Sequence, residues 1–202
     1  MEHFYTVQGE GYHQGKASYF VRLGGCDIGC VWCDVKDSWT AENFPATPVE
    51  EIVNHVAASG AKVCVVTGGE PMMHDLEPLT TALHARGIKA NVETSGAYPI
   101  TGNWDWICLS PKRFKLPCES SLKLASELKV VIFHKNDFRL AEEYEAKVRS
   151  AQAEPPRKYP CKLFLQPEWS KEKEVLPLMI DYVKQNQQWE ISLQIHKYMD
   201  IP

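Results

Sequence analysis

Residues 18–33, SYFVRLGGCDIGCVWC, join a predicted strand to a glycine-rich loop that carries three cysteines. The first six of these residues include the β-branched and aromatic types that favour strands, and Gly24 and Gly25 end the run. An apolar run followed by a polar or glycine-rich loop recurs along the rest of the chain. This segment therefore gives the repeating pattern from which the fold is predicted.

Apolar strands alternate with amphipathic helices through the sequence. The other strands are predicted at residues 62–66, 89–93, 105–109, 127–133, 162–165 and 190–195. A first helix is expected to begin at Thr47 as N-cap, with Pro48 and Glu50 completing a capping box, and to end before Gly60. Further helices are predicted at residues 75–86, 136–149 and 172–185.

The alternation of strands and helices indicates a mainly parallel α/β sheet, because parallel strands need crossover helices. A closed eightfold barrel usually takes about 250 residues, and this chain has 202. We therefore expect a single domain over residues 1–202 with an incomplete or shortened parallel (β/α) barrel. An open, doubly wound sheet is the alternative.

Unusual polar segments follow six of the predicted strands. They are residues 24–33, 67–71, 93–96, 110–112, 166–169 and 196–198. In a parallel α/β fold the C-terminal ends of the strands face the same side, and ligands bind there. The alternative is that these segments are ordinary connecting loops. We predict one composite active site.

The charge and hydropathy of the chain exclude two classes of partner. The formal net charge is -4 and the pI is about 6.0, which gives no basic field for a nucleic acid. No apolar run reaches the length of a membrane-spanning helix, and residues 1–15 lack the features of a signal peptide. We expect a cytoplasmic protein that binds neither nucleic acid nor membrane.

The three clustered cysteines, Cys26, Cys30 and Cys33, have a spacing that indicates metal ligation rather than disulfides. Structural zinc sites normally have four protein ligands, whereas three thiolates leave one metal position open to an exchangeable ligand. An iron–sulfur cluster with one open iron is therefore predicted. Zinc remains the alternative, with a histidine or one of Cys64, Cys108, Cys118 and Cys161 as fourth ligand; those four cysteines are interpreted as structural.

The cysteine spacing, Trp32 before the third cysteine, and the segment Gly68-Gly69-Glu70-Pro71 resemble the radical S-adenosylmethionine superfamily. The resemblance implies the corresponding barrel type and a 4Fe-4S cluster on Cys26, Cys30 and Cys33. It also implies that S-adenosyl-L-methionine completes the cluster and is cleaved to a carbon radical. The Gly-Gly-Glu segment would hold the methionine amino group through backbone atoms, since glycine permits close approach.

Other segments resemble one family within that superfamily. They are residues 7–11, Arg22, 33–34, 66–71, 93–96, 110–112, 165–167 and 194–198. The resemblance implies a lyase that contracts 6-carboxy-5,6,7,8-tetrahydropterin to 7-carboxy-7-deazaguanine with loss of ammonia, a step in queuosine and deazapurine biosynthesis. S-Adenosylmethionine would be regenerated in each cycle.

The same resemblance implies two sets of binding residues. Substrate would contact Val7, Gln8, Gly9, Glu10, Arg22, Thr67, His196 and Pro202. S-Adenosylmethionine would contact Trp32, Cys33, Asp34, Gly68, Gly69, Glu70, Ser110, Pro111, Lys112, Gln166, Pro167, Glu168 and Trp169.

The residue chemistry agrees with a carboxylated pterin. The planar fork of Arg22 matches a carboxylate, and Gln8 and Glu10 can accept hydrogen bonds from the ring. The alternatives are a surface ion pair for Arg22, an internally satisfied turn for Gln8 and Glu10, and a core or rim position for His196.

One position departs from the family pattern. Threonine or serine usually follows the Cys-Asp pair and ligates magnesium, but this chain has Val35, which offers no oxygen. Mg²⁺ would then be held by substrate and solvent, or by Asp34 or Asp37, or would be weakly bound or absent.

The resemblance also implies partners and leaves rivals. A homodimer is expected, together with a reducing electron donor such as flavodoxin or ferredoxin. The rival functions are an activating enzyme that places a radical on a glycine of another protein, and a non-catalytic zinc-binding module.

Overall fold

The computed structural model describes all residues, 1–202. Its strands are β1 (Glu2–Val7), β2 (Ala17–Leu23), β3 (Val63–Gly68), β4 (Lys89–Thr94), β5 (Trp106–Leu109), β6 (Glu127–Ile132), β7 (Lys162–Pro167) and β8 (Trp189–Ile191). Its helices are α1 (Val49–Ala58), α2 (Glu77–Ala85), α3 (Glu119–Leu124), α4 (Asp137–Ala151), α5 (Glu172–Gln185) and α6 (Ile195–Met199). None of these helices combines the length and the apolar character needed to cross a membrane.

The eight strands form one sheet in the order β1 to β8. Strand β1 is antiparallel to β2, and every other neighbouring pair is parallel. Strands β1 and β8 each pair with a single neighbour, so the sheet does not close. The predicted α/β fold class, an incomplete parallel barrel, is confirmed.

Each of the seven predicted strands corresponds to an observed one, but the first strand of the sheet was missed. None of the residues of β1 is buried, so the segment has no buried face to give an apolar alternation. The strand is held by backbone pairing with β2 and by stacking of Phe4 on Phe20, whose ring centroids are 5.6 Å apart.

The predicted C-terminal strand at residues 190–195 is wrong in its second half. Strand β8 ends at Ile191, and the short helix α6 begins at Ile195. The segment after β8 is therefore a short helix rather than a continuation of the strand. The backbone N–H of Ile195 donates to the Gly9 carbonyl at 3.0 Å, which draws this segment toward the residues after β1.

Two details of the helices also differ from expectation. Helix α1 starts one residue later than predicted, with Pro48 rather than Thr47 as N-cap and no side-chain capping bond. Helix α3 was not predicted, because a six-residue helix shows too little periodicity to detect.

Two apolar cores support the sheet. In one, α1 and α2 pack against β2 to β5, with Val56 and Leu83 fully buried. In the other, α4 and α5 pack against β5 to β8 around Tyr144 and Met179. Both cores are made by the crossover helices, so the opposite face of the sheet is left to line a cavity.

Candidate active site

A cavity of about 280 Å³ lies on the face of the sheet away from the crossover helices. Its wall includes residues from the loops after β2, β3, β4, β5 and β7, from the segment after β1, and from α6. Nearly all of the residues predicted to bind substrate or S-adenosylmethionine line it. The exception is Pro111, which is buried between Ser110 and Lys112 and does not reach the wall.

Cys26, Cys30 and Cys33 are half-buried and line this cavity together. Gly25, just before Cys26, and Gly29, just before Cys30, have φ values of 102° and 72°, which residues with a side chain rarely adopt. These two glycines allow the cysteine loop to turn tightly. Burial raises the pKa of the Cys26 and Cys30 thiols, and the neighbouring thiols raise it further. Such thiols ionise when they bind a metal.

This donor set fits a cluster with an open position better than a closed zinc site. None of the other four cysteines lines the cavity. Cys64 and Cys108 are buried inside β3 and β5, as predicted for structural residues, while the Cys118 thiol donates to the Ala97 carbonyl. The structure contains no group of three or more His, Cys, Asp or Glu side chains close enough together to hold a metal ion.

The segment 68–70 packs directly on the cysteine loop. A Cβ on Gly69 would lie 2.1 Å from the Gly25 carbonyl oxygen, and Gly68 has a φ of 111°. The backbone N–H of Glu70 donates to the Gly25 carbonyl at 2.8 Å, and that of Gly69 donates to Leu23 at 2.8 Å. Both glycines are therefore required by backbone contact between the two loops.

Glu70 is buried, and its carboxylate is saturated by protein donors. One oxygen accepts from the Met72 backbone N–H at 3.0 Å and the Thr94 hydroxyl at 2.5 Å. The other accepts from the backbone N–H and the hydroxyl of Ser95, at 2.8 Å and 2.5 Å. The side chain thus ties the loop after β3 to the end of β4. Because the Glu70 N–H is also used, only its carbonyl oxygen, which accepts from the Met73 N–H at 3.1 Å, has a lone pair left for a ligand.

Most of the other residues predicted to bind S-adenosylmethionine line the same cavity as the thiols. Trp32 stacks on Phe133 with ring centroids 5.5 Å apart. The Lys112 ammonium donates to the hydroxyl and carbonyl of Ser110 at 2.6 Å and 2.9 Å. Burial lowers the pKa of Lys112.

Arg22 lies at the cavity wall beside Thr67, its partner in the register of β2 and β3. Its guanidinium donates to Glu2 at 3.0 Å, and both side chains are partly exposed. The surface ion pair that was the alternative role for Arg22 is therefore present. Because exposed pairs contribute little, Glu2 is a weak competitor for any carboxylate that enters the cavity.

The two residues predicted to accept from the substrate, Gln8 and Glu10, join a buried polar group that we call the carboxylate network. Its members are Gln8, Glu10, Glu93, Lys129 and Gln194. The Lys129 ammonium donates to Glu10 and, at 3.3 Å, to Glu93. The amides of Gln194 and Gln8 donate to the second oxygens of Glu10 and Glu93 at 2.8 Å and 2.9 Å.

Two members of this network, Glu10 and Lys129, have strongly shifted pKa values. Burial alone would raise the pKa of Glu10, but Lys129, Gln194 and His196 lower it to about 2. Burial opposes the charge on Lys129, yet the surrounding acidic groups Cys108, Glu10, Glu93 and Glu127 hold its pKa well above the ordinary value. Glu10 and Lys129 are therefore a charged pair at neutral pH.

Glu93, Lys129 and Gln194 line the cavity but were not among the predicted site residues. A signal for Lys129 was present in the sequence. It lies in a strand otherwise rich in apolar residues, where a lysine is rarely buried without a partner. Glu93 and Gln194 belong to the segments 93–96 and 194–198 singled out above, but the sequence does not show which side of the sheet each side chain faces.

The remaining substrate candidates close the cavity near α6. A Cβ on Gly9 would lie 2.1 Å from Nδ1 of His196, so the residue after Gln8 must be glycine for α6 to pack there. Burial lowers the pKa of His196, although Glu10 opposes the shift. Pro202 also lines the wall.

The residues considered for magnesium do not form a site for it. Val35 lines the cavity but has no oxygen donor in its side chain. Asp34 pairs with the Lys197 ammonium at 3.1 Å, while Asp37 is exposed and lies outside the wall.

Comparison with known proteins identifies close relatives. The model of the radical SAM superfamily matches residues 20–108. A 7-carboxy-7-deazaguanine synthase of Flavobacterium psychrophilum is 53% identical over 100% of this chain and 91% of its own length. Enzymes of the same name from Synechocystis and Escherichia coli are 42% and 30% identical over 99% of this chain, covering 91% and 97% of their own lengths.

A solved structure gives the same relationship. The crystal structure of QueE from Escherichia coli superposes with a TM-score of 0.78 at 29% identity. The match covers 95% of this chain and 91% of the other. The similarity therefore extends well beyond the matched segment 20–108.

Proposed function

Because the chain belongs to the 7-carboxy-7-deazaguanine synthase family of the radical SAM superfamily, we propose that it contracts 6-carboxy-5,6,7,8-tetrahydropterin to 7-carboxy-7-deazaguanine with release of ammonia. The observation that carries this proposal is that one cavity holds three cluster-type thiols, an arginine paired only with the partly exposed Glu2, and a largely buried acidic network. The product places the enzyme in queuosine and deazapurine biosynthesis.

Family membership makes the protein a radical SAM enzyme with a 4Fe-4S cluster and S-adenosylmethionine. Cys26, Cys30 and Cys33 would hold the cluster, which when bound supplies the electron that cleaves S-adenosylmethionine to a carbon radical. Gly68, Gly69 and the backbone of Glu70 offer an edge beside the thiols that the methionine group can approach closely. The indole of Trp32 and the segment 110–112 enclose the same side.

The carboxylate of the substrate is assigned to Arg22. A guanidinium binds a carboxylate through two parallel hydrogen bonds, and Arg22 is the arginine of the cavity wall. The neighbouring Thr67 hydroxyl can add a third donor. A substrate carboxylate would replace the partly exposed Glu2 contact.

The pterin ring is assigned to the carboxylate network. The network carries two carboxylates and one ammonium, so its net charge is negative and its oxygens accept hydrogen bonds. The amino group and ring N–H groups of a pterin are donors. His196, held neutral more readily by burial, and Gly9 line the cavity beside this network.

These assignments also separate the proposal from its rivals. An enzyme that acts on a glycine of another protein has no use for a buried acidic network at the base of the cavity. A zinc module would need a fourth ligand. No fourth cysteine lines the wall, and the one histidine that does, His196, packs against Gly9.

The test is an anaerobic assay with reconstituted protein, S-adenosylmethionine, a chemical reductant and 6-carboxy-5,6,7,8-tetrahydropterin. We expect 7-carboxy-7-deazaguanine and ammonia in equal amounts, and loss of both in Cys30→Ala. The matched control is Cys161→Ala, which removes a thiol outside the cavity and should leave the reaction intact. Formation of 5'-deoxyadenosine without deazapurine would contradict the proposal.

Magnesium is not assigned to protein ligands. Val35 has no oxygen donor and Asp34 is paired with Lys197, so substrate and water oxygens are the proposed ligands of any Mg²⁺.

Three further properties are proposed on family grounds: a homodimer, a flavodoxin or ferredoxin as electron donor, and a cytoplasmic location. The free state of all seven cysteines agrees with a reducing compartment. Sedimentation analysis would test the dimer.

A further inference from the structure

The carboxylate network forms a closed ring of hydrogen bonds with Lys129 at its centre. Lys129 bridges Glu10 and Glu93, and the Gln8 amide nitrogen donates to the second oxygen of Glu93 at 2.9 Å. The ring closes because the Gln8 amide oxygen accepts from the backbone N–H of Glu10 at 3.2 Å. It joins the segment after β1 to strands β4 and β6.

The ring determines the orientation of every member. Since the Gln8 nitrogen is used by Glu93, its oxygen must face Glu10, and the amide cannot turn over without breaking two bonds. Gln194 is fixed in the same way, with its nitrogen on Glu10 at 2.8 Å and its oxygen on Lys197 at 3.1 Å.

Lys129 is the only member that contacts both carboxylates. Its side chain is 3% exposed, whereas those of Glu10 and Glu93 are 14% and 22% exposed. The ammonium is therefore the least exposed of the three charged groups, and the carboxylates retain unused lone pairs that can accept from a ligand. Without the lysine, two carboxylates would face each other in a buried place, and one would take up a proton or move away.

We propose that Lys129 is a positioning residue for substrate: it holds Glu10 and Glu93 side by side as hydrogen-bond acceptors for the amino and ring N–H groups of the pterin. This inference rests on the proposed function and adds the residue that sets the specificity of the acidic wall. It requires no direct contact between Lys129 and the substrate.

The first measurement is the affinity for 6-carboxypterin, followed by its intrinsic fluorescence. Lys129→Met keeps the length and burial of the side chain but removes the charge, and we expect binding to weaken at least about tenfold. Lys129→Arg keeps the charge and should bind more tightly than the methionine variant. Lys162→Met, at an exposed position on the adjacent strand β7, is the matched control and should equal the wild type.

A purely structural role is separated by a kinetic comparison. In Lys129→Met the KM for the tetrahydropterin should rise, while the KM for S-adenosylmethionine and the cleavage of S-adenosylmethionine without pterin stay at wild-type values. A general loss of all three would show that Lys129 only supports the fold and would overturn the inference.

If Lys129→Met is too unstable to assay, a second variant tests the same inference. Lys129→Met/Glu93→Gln has the same net network charge as the wild type but lacks the bridge. We expect it to fold and to bind 6-carboxypterin more weakly than Glu93→Gln alone, because Glu10 is no longer held. Equal or tighter binding would mean that Lys129 merely balances charge, which overturns the inference.

The two proposals fail separately. A wild-type protein that converts no tetrahydropterin contradicts the proposed function. An active wild type whose affinity for 6-carboxypterin is unchanged in Lys129→Met contradicts the role of Lys129 alone.

Discussion

Gly69 and Gly25 are in backbone contact, so that a Cβ added to Gly69 would lie 2.1 Å from the Gly25 carbonyl oxygen. This contact joins the loop expected to hold the methionine group to the loop that carries the thiols. A side chain on Gly69 has no room here, because the atom that its Cβ would meet is a backbone oxygen that cannot rotate away.

Gly69→Ala should therefore separate the two loops. We expect S-adenosylmethionine affinity and turnover to fall at least about tenfold, since displacement of a positioned group by about 1 Å is costly to catalysis. The control is Gly60→Ala, where an added Cβ meets no atom, although its positive φ carries some strain. Wild-type affinity in Gly69→Ala would show that the loops need not touch.

Glu70→Gln should disturb the joint between β3 and β4. The carboxylate accepts four bonds, two from hydroxyls and two from backbone N–H groups, and an amide nitrogen would face donors. Loss of a buried, charge-assisted bond is expected to lower the free energy of unfolding by about 1.5–3 kcal/mol. Urea unfolding measures this, with Glu77→Gln at an exposed position of α2 as the control; unchanged stability would contradict the role assigned to Glu70.

Removal of the Glu2 contact should release Arg22 for substrate. Glu2→Gln is expected to leave turnover unchanged or lower the KM for the tetrahydropterin by a factor of about two, because an exposed ion pair is weak. Arg22→Lys, which loses the fork geometry, should raise that KM at least about tenfold. If Arg22→Lys retains the wild-type KM, the substrate carboxylate lies elsewhere.

Acid should destabilise the protein through Glu10. Its folded pKa of about 2 lies below the ordinary 4.5, so its stabilising contribution is complete above about pH 4.5 and is lost as the pH falls through 2. The difference corresponds to about 3 kcal/mol. Unfolding free energies at pH 6 and pH 3 should differ less in Glu10→Gln than in the wild type; equal differences would contradict the assignment.

Magnesium should matter little to this enzyme unless a ligand is restored. Val35→Thr places a hydroxyl at the cavity wall, and we expect it to increase the stimulation of turnover by added Mg²⁺ relative to the wild type. Val31→Thr, at an exposed position of the same loop that does not line the cavity, is the control. A wild type that is fully dependent on Mg²⁺ would show that other oxygens hold the ion.

The sequence was sufficient for the parallel part of the fold because its strands are buried and apolar. It failed at both ends of the sheet. Strand β1 has no buried residue and is defined by pairing with β2, and the segment after β8 forms α6 in contact with Gly9. Such contacts between distant segments leave no periodicity in the sequence.

The site was predicted in its loops but not in its interior. The cysteine triplet and the Gly-Gly-Glu segment have short, chemically specific spacings. Lys129 and Glu93 belong to the carboxylate network through positions on two strands, and their contact depends on the register of the sheet. Only coordinates show that the same lysine reaches Glu10.

The most direct test of the central claim is the state of the reduced, reconstituted protein prepared without oxygen. We predict about four iron and four sulfide per chain and an electron paramagnetic resonance spectrum that changes when S-adenosylmethionine is added, because three thiolates leave one iron open. Stoichiometric zinc with little iron, or a cluster spectrum unchanged by S-adenosylmethionine, would contradict it.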